Sequence, residues 1–167
     1  MNLIFISAVS GVGKTTICKY MIDNNLLEGH AIFDIDELEN INEYTASTYH
    51  LFYEKAICKA IAKSNNKSIV IGSCINPTDI EKVNIPKEIS SVKMILVTCS
   101  NKELEKRLKM REKTRNCGSN EFIKDQIDYQ NYMLNHLDMY QLHVDNTHCD
   151  VIDVANQIAT YIKDNKL

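Results

Sequence analysis

The run Leu3-Ile4-Phe5-Ile6-Ser7-Ala8-Val9-Ser10-Gly11-Val12-Gly13-Lys14-Thr15-Thr16 decides the fold. Leu3–Ser7 is a short apolar run bounded by a Gly-rich turn, the pattern of a strand buried on both faces. From about Lys14 to Asn25 the apolar residues recur at helical spacing. Between strand and helix, Ala8 to Thr15 matches G-x-x-x-x-G-K-[ST] at every position except the first, where Ala8 replaces Gly. Two of the chain's five glycines lie in this turn. Backbone N–H groups can converge on phosphate oxygens only where small residues permit unusual dihedrals. The helix that follows adds the positive end of its dipole. The expected nucleotide-phosphate contacts are Ser10, Gly11, Val12, Gly13, Lys14, Thr15 and Thr16. Lys14 reaches the β- and γ-phosphates of ATP, and the Thr15 hydroxyl is a ligand for Mg²⁺.

Outward from this turn, strands and helices alternate. Ala31–Ile35, Ser68–Ile71, Val92–Val97 and the weaker Leu142–Val144 read as strands. Tyr49–Lys63, Lys102 past Arg111, Asn120–Met139 and Val151–Ile162 read as helices, with a short helix between Pro77 and Pro86. The alternation predicts βαβ units, a mainly parallel sheet and a single α/β domain over residues 1–167. In such sheets the ligand sits beyond the carboxyl ends of the strands.

Composition narrows the function classes. The chain has 167 residues, 44% hydrophobic and 25% charged, which suits a globular fold and not disorder. A formal charge of −3 disfavours a general nucleic-acid or membrane-surface partner. No apolar run approaches the roughly 18 residues of a membrane span. The N-terminal stretch lacks the basic region of a signal peptide, so a cytoplasmic location is expected. Six cysteines contain no Cys-x-x-Cys pair and read as reduced, structural thiols.

Two further constellations carry chemistry. Phe33-Asp34-Ile35-Asp36-Glu37 ends the second strand in carboxylates. Phosphoryl transfer needs a carboxylate to orient an acceptor hydroxyl and to hold Mg²⁺. On an extended chain Asp34 and Asp36 point the same way. Either can serve as base, with Asp34 the second metal candidate beside Thr15; Asp36 is alternatively the N-cap of the following segment. The third strand ends in Ile71-Gly72-Ser73-Cys74, with no acid to share that work. The second constellation is the arginines. The chain has 16 Lys and three Arg, and the three are Arg107, Arg111 and Arg115. A spacing of four puts them on nearly one helix face, about 40° apart per step. Arginine's planar fork suits a transferring phosphoryl group, and its face can stack on a base. A lid over about residues 107–120, hinged near Gly118, follows.

Together these features resemble the small P-loop kinases of the nucleoside and nucleoside monophosphate kinase superfamily, which includes adenylate, shikimate and gluconate kinases. The resemblance implies a three-layer fold with five parallel strands in the order 2-3-1-4-5. It implies ATP and Mg²⁺ as cosubstrate and cofactor, and a small acceptor, a nucleoside or nucleotide foremost. Arg107-Leu108-Lys109-Met110-Arg111 is similar to the lid entry of these enzymes, where the first Arg packs on adenine and the second meets phosphate. Val144-Asp145-Asn146-Thr147 is similar to their adenine-side loop. Catalytic roles then fall to Lys14, Asp34, Asp36, Arg107, Arg111 and Arg115. The acceptor-side candidates, taken from position, are Asp36, Tyr49, Phe52, Ser73 and Asn76. Alternatives are a nucleotide-binding regulatory module, or a kinase of another small hydroxyl metabolite or of a nucleic-acid 5′ end. Monomer and homodimer both remain open.

Overall fold

In the computed structural model, which describes residues 1–111 and 118–167, five parallel strands form one sheet in the order β2-β3-β1-β4-β5. The strands are β1 (Asn2–Ser7), β2 (His30–Asp34), β3 (Ser68–Ser73), β4 (Ser91–Thr98) and β5 (Leu142–Asp145). The connecting helices are α1 (Lys14–Asp23), α2 (Ile35–Leu38), α3 (Tyr49–Lys63), α4 (Pro77–Ile80), α5 (Asn101–Arg111), α6 (Asn120–Leu134) and α7 (Val151–Asp164). They flank the sheet to give three layers, with α1 packed on α7 and α5 on α6.

The apolar run that opens the chain becomes the central strand. Leu3, Ile4, Phe5 and Ile6 are fully buried, because helices cover both faces of an all-parallel sheet. Each such side chain stabilises the fold by about 1.5–3 kcal/mol relative to exposure. The central place of β1 carries the phosphate-loop turn to the middle of the sheet's carboxyl edge. Register brings the other strand ends alongside: Ser7 pairs with Ser73 and Leu96, and Asp34 with Gly72.

Several boundaries differ from the sequence expectation. β2 ends at Asp34, and Ile35 already belongs to α2. Asp34 itself is the N-cap of that turn, its Oδ1 accepting from the Asp36 amide at 3.2 Å. Asp36 is therefore not the cap. The two carboxylates do not share one extended face, because the helical turn begins between them. α6 stops at Leu134, and a 3₁₀ turn covers Leu137–Met139. α1 closes at Asp23, with Asn25 in the left-handed region at φ 49°.

Candidate active site

The phosphate-loop turn is shaped by two glycines in left-handed backbone, Gly11 (φ 94°) and Gly13 (φ 111°). At Gly11 even a methyl group would lie 2.9 Å from Leu108 Cδ2, so the loop also presses directly on α5. Gly13 is the N-cap of α1 and offers no side-chain cap. Ile17 is the first residue of that helix whose amide finds a carbonyl, Gly13 O at 3.0 Å. The earlier amides are the orphan donors of a helix start, an arrangement that suits an anion. Lys14 is half-buried at this mouth, and Thr15 and Thr16 are exposed.

The loop is tied from behind. The Val12 carbonyl accepts from Asn146 Nδ2 at 2.8 Å and from Arg107 Nη1 at 3.1 Å. Arg107 also donates from Nη2 to Asn146 O at 2.9 Å and from Nε to Glu103 Oε1 at 2.9 Å. Asn146 in turn donates its amide to Thr98 O at 2.7 Å, fixing it to the end of β4. Three of the five guanidinium donors are thus engaged by protein, so Arg107 joins three elements, and it also lines the cleft beside it. That cleft, about 360 Å³, runs between Gly13, Thr16, Arg107, Met110, Asn146 and Cys149. Lysine cannot make this tripod. Arg107→Lys is expected to weaken nucleotide binding about 10- to 100-fold and to cost roughly 1–2 kcal/mol of stability. Nucleotide titration and thermal unfolding measure the two effects.

A second, smaller cavity of about 60 Å³ lies over the loop itself, bounded by Ser10, Gly11, Lys14, Thr15, Asp36 and Arg111. It collects the loop, one acid and one arginine of the sequence-derived set. Asp36 is exposed there, whereas Asp34 is only 5% exposed. The Asp34 Oδ2 atom is buried without a hydrogen-bond partner among the described residues. The charges of both Asp34 and Lys14 are felt by the Cys18 thiol of α1. Burial first, and Asp34 second, push that thiol up to about 12, so it stays neutral.

The acceptor-side candidates divide by burial. Tyr49 is half-buried, while Phe52 is 1% exposed and packs among Tyr44, Tyr49 and Tyr53. Ser73 is fully buried and its hydroxyl accepts from the Ile75 amide at 2.9 Å. Asn76 caps α4 by accepting from the Asp79 amide at 2.9 Å and donates to the Tyr129 hydroxyl at 2.8 Å. Phe52, Ser73 and Asn76 therefore build the wall, and Tyr49 and Asp36 are the candidates with surface to offer. Arg115 and residues 112–117 of the expected lid lie outside the described residues.

Helix α6 supplies residues that motif spacing did not single out. Gln126 Oε1 accepts from the Ser10 amide at 2.9 Å. The Tyr129 hydroxyl donates to Cys74 O at 2.9 Å, and buried Gln130 clasps the Cys99 backbone with Oε1 on its N–H and Nε2 on its carbonyl. Spacings of three and four put all three on one face of the helix. That periodicity was visible, but a Gln or Tyr stripe reads as ordinary core until the strand ends beneath it are placed. Five described cysteines are unpaired, and Cys117 lies outside the described residues. No cluster of three or more His, Cys, Asp or Glu suits a metal among the described residues.

A five-stranded parallel sheet in the order 2-3-1-4-5 with flanking helices is the P-loop kinase fold, and this chain has it. Three solved structures are similar along nearly the whole length. One is an uncharacterised protein from Eubacterium ventriosum ATCC 27560, 15% identical with a TM-score of 0.61, covering 98% of this chain and 99% of that one. The second is a gluconokinase from Sinorhizobium meliloti 1021, 12% identical with a TM-score of 0.67 and coverage of 98% and 94%. The third is a shikimate kinase from Acinetobacter baumannii in complex with shikimate, 16% identical with a TM-score of 0.64 and coverage of 100% and 96%. No protein-family model matches the sequence, and no curated protein matches it. Among the described residues no helix is long and apolar enough to cross a membrane.

Proposed function

We propose that residues 1–167 act as one phosphotransferase domain that moves the γ-phosphoryl group of ATP to a hydroxyl of a small acceptor. The observation that carries this reading is the small cavity that sets Asp36 and Arg111 against the open amides, Lys14 and Thr15 of the loop. A loop that only binds nucleotide needs no carboxylate facing it, since a negative charge there repels phosphate. The neighbours named gluconokinase and shikimate kinase support a small hydroxyl acceptor over a regulatory module. The nucleoside or nucleotide expectation rests on the sequence resemblance.

The two carboxylates take different parts. Exposed Asp36 orients the acceptor hydroxyl and receives its proton as the oxygen bonds to the γ-phosphorus and ADP leaves. Lys14 and the loop amides hold the β- and γ-phosphates, and Arg111 stabilises charge that develops during in-line transfer. Arg107 and Asn146 keep the loop in shape and offer a flat surface to the base. The fit to magnesium rests on Asp34 Oδ2, a buried carboxylate oxygen with no hydrogen-bond donor among the described residues, and on the exposed Thr15 hydroxyl. These are hard oxygen ligands of the kind Mg²⁺ takes along with water and phosphate. When bound, the ion supplies charge neutralisation at the phosphate oxygens.

The test is ADP release from Mg-ATP across nucleosides, nucleoside monophosphates, shikimate, gluconate and a 5′-hydroxyl oligonucleotide. Stimulation by one group with transfer of label to that compound is the expected result. Tight ATP binding with no stimulation by any alcohol identifies the regulatory module instead.

A further inference from the structure

The phosphate loop is fastened at alternate residues by distant parts of the chain. The Ala8 amide donates to Ser73 O at 3.0 Å, which ties the start of the loop to the end of β3. The Val12 carbonyl accepts from Arg107 and Asn146. Between them the Ser10 amide donates to Gln126 Oε1 at 2.9 Å, across 116 residues of sequence. An amide has one hydrogen to give, so while Gln126 holds it the Ser10 N–H is not free for a phosphate oxygen. Ser10 still lines the small cavity with Lys14, Thr15, Asp36 and Arg111, so where it is held sets one wall of that cavity.

Gln126 stands on a firm base. Ile123, Gln126, Gln130 and Met133 fall at helical spacing on one face of α6, where Ile123, Gln130 and Met133 are buried. Gln130 clasps the Cys99 backbone just after β4, and Tyr129 donates to Cys74 O just after β3. One helix is thus fixed at two strand ends and reaches from there to the loop after β1. An apolar side chain at position 126 could pack as its neighbours do, but it would leave the Ser10 amide without this acceptor. The tie sits beside Gly11 (φ 94°), which has the conformational freedom to swing the loop once Ser10 is released.

We propose that Gln126 is a positioning residue for the nucleotide phosphates. It holds the Ser10 amide so that the loop keeps the shape in which the Gly13 and Lys14 amides receive phosphate, and Ser10 serves as a tie and not as a phosphate donor. This rests on the nucleotide site of the phosphotransferase reading above and adds a residue to it.

The test uses the full chain, with Mg-ADP as the phosphate-bearing probe and adenosine as the matched probe without phosphate. Amide hydrogen exchange is followed residue by residue in the native protein, with and without Mg-ADP. Mg-ADP is expected to slow exchange at Gly13 and Lys14 about 10-fold more than at Ser10. Gln126→Met keeps the length of the side chain and removes the acceptor. In that variant exchange at Ser10 should quicken about 10-fold, and ADP affinity should fall about 10-fold while adenosine affinity stays within about 2-fold. Tyr129→Phe removes a different tie of the same helix, and it should lower stability yet keep the ratio of ADP to adenosine affinity within about 2-fold. Slowing of Ser10 by Mg-ADP equal to that of Gly13 overturns the inference, and this measurement needs no variant, so it decides the case even where Gln126→Met does not fold. Equal losses of ADP and adenosine affinity in Gln126→Met overturn it as well, as does an equal shift of their ratio in Tyr129→Phe. Acceptor turnover is not among the readouts. A chain that passes and phosphorylates no alcohol keeps this inference and loses the phosphotransferase reading, whereas one that binds no Mg-ADP loses both.

Discussion

Lys14→Met is expected to lower acceptor-stimulated ADP release about 10³-fold, which corresponds to roughly 4 kcal/mol of transition-state stabilisation. The substitution keeps the length and apolar stem of the side chain and removes only the ammonium. Lys14 is half-buried at the first turn of α1, and among the described residues it forms no ion pair with a carboxylate. No salt bridge among the described residues is lost with it, and thermal unfolding should move by no more than about 1 kcal/mol. On the proposed reading the charge matters most when the γ-phosphoryl group is between donor and acceptor, because the phosphate oxygens then carry negative charge that the loop amides alone do not balance. Nucleotide affinity should fall by less than turnover, about 10-fold against 10³-fold, since the amides and the α1 dipole still bind the ground state. Rapid-quench measurement of ADP beside a nucleotide titration separates the two. Full turnover in the variant would mean that the site of transfer is elsewhere in the molecule.

The strength of that expectation comes from local sequence. Gly11, Gly13, Lys14 and Thr15 are close in the chain, so their chemistry is read directly from spacing, and the left-handed φ values of the two glycines agree with that reading. The order of the sheet was implied by resemblance and is what the strands adopt. Spacing alone says that strands alternate with helices but not which strand lies beside which. The carboxylate pair shows where local reasoning stops. Asp34 and Asp36 look equivalent in sequence, yet one turn of helix between them buries the first and exposes the second. The decisive event was the Asp34 side chain capping its own turn, a competition between strand and cap that two residues of sequence do not settle. The tie from Arg107 to Val12 and Asn146 spans 95 and 39 residues. Nothing local announces it, although the arginine itself stood out in a lysine-rich chain.

The aromatic set illustrates the same limit. Tyr44, Tyr49, Phe52 and Tyr53 fall at spacings that suit either a stacking platform or core packing. The structure uses Phe52 and Tyr53 for the core, where Tyr53 also meets Phe5 of the central strand edge-on at 6.5 Å. Only the outer rings remain at the surface. A pattern of apolar spacing identifies a face of a helix, and what that face meets depends on strands distant in sequence.

Gly72 is expected to be intolerant of even one methyl group, and the cause is Cys18. A Cβ built at Gly72 lies 2.7 Å from Cys18 Sγ, a separation that real side chains do not show, while the next nearest atom is Phe33 O at 3.8 Å. Both residues are buried, Cys18 on the inner face of α1 and Gly72 next to Asp34 in the sheet. Gly72→Ala must therefore push α1 away from β3, at a cost of about 1–3 kcal/mol in stability. Because α1 begins at Lys14 and Thr15, the same displacement shifts the phosphate loop relative to Asp34, and a misplacement of an ångström can lower turnover about 10²-fold. Cys18→Ala removes the sulfur and leaves a small void, costing about 1 kcal/mol alone. In the double variant Cys18→Ala, Gly72→Ala, the new methyl occupies the space the sulfur left. Stability and turnover should both return to within a few-fold of the starting protein, giving a coupling of 1 kcal/mol or more in the double-mutant cycle. Additive losses would show that Gly72 is needed for its backbone alone. Recovery would show that a buried thiol, kept neutral by its surroundings, sets how closely helix α1 approaches the carboxyl end of the sheet.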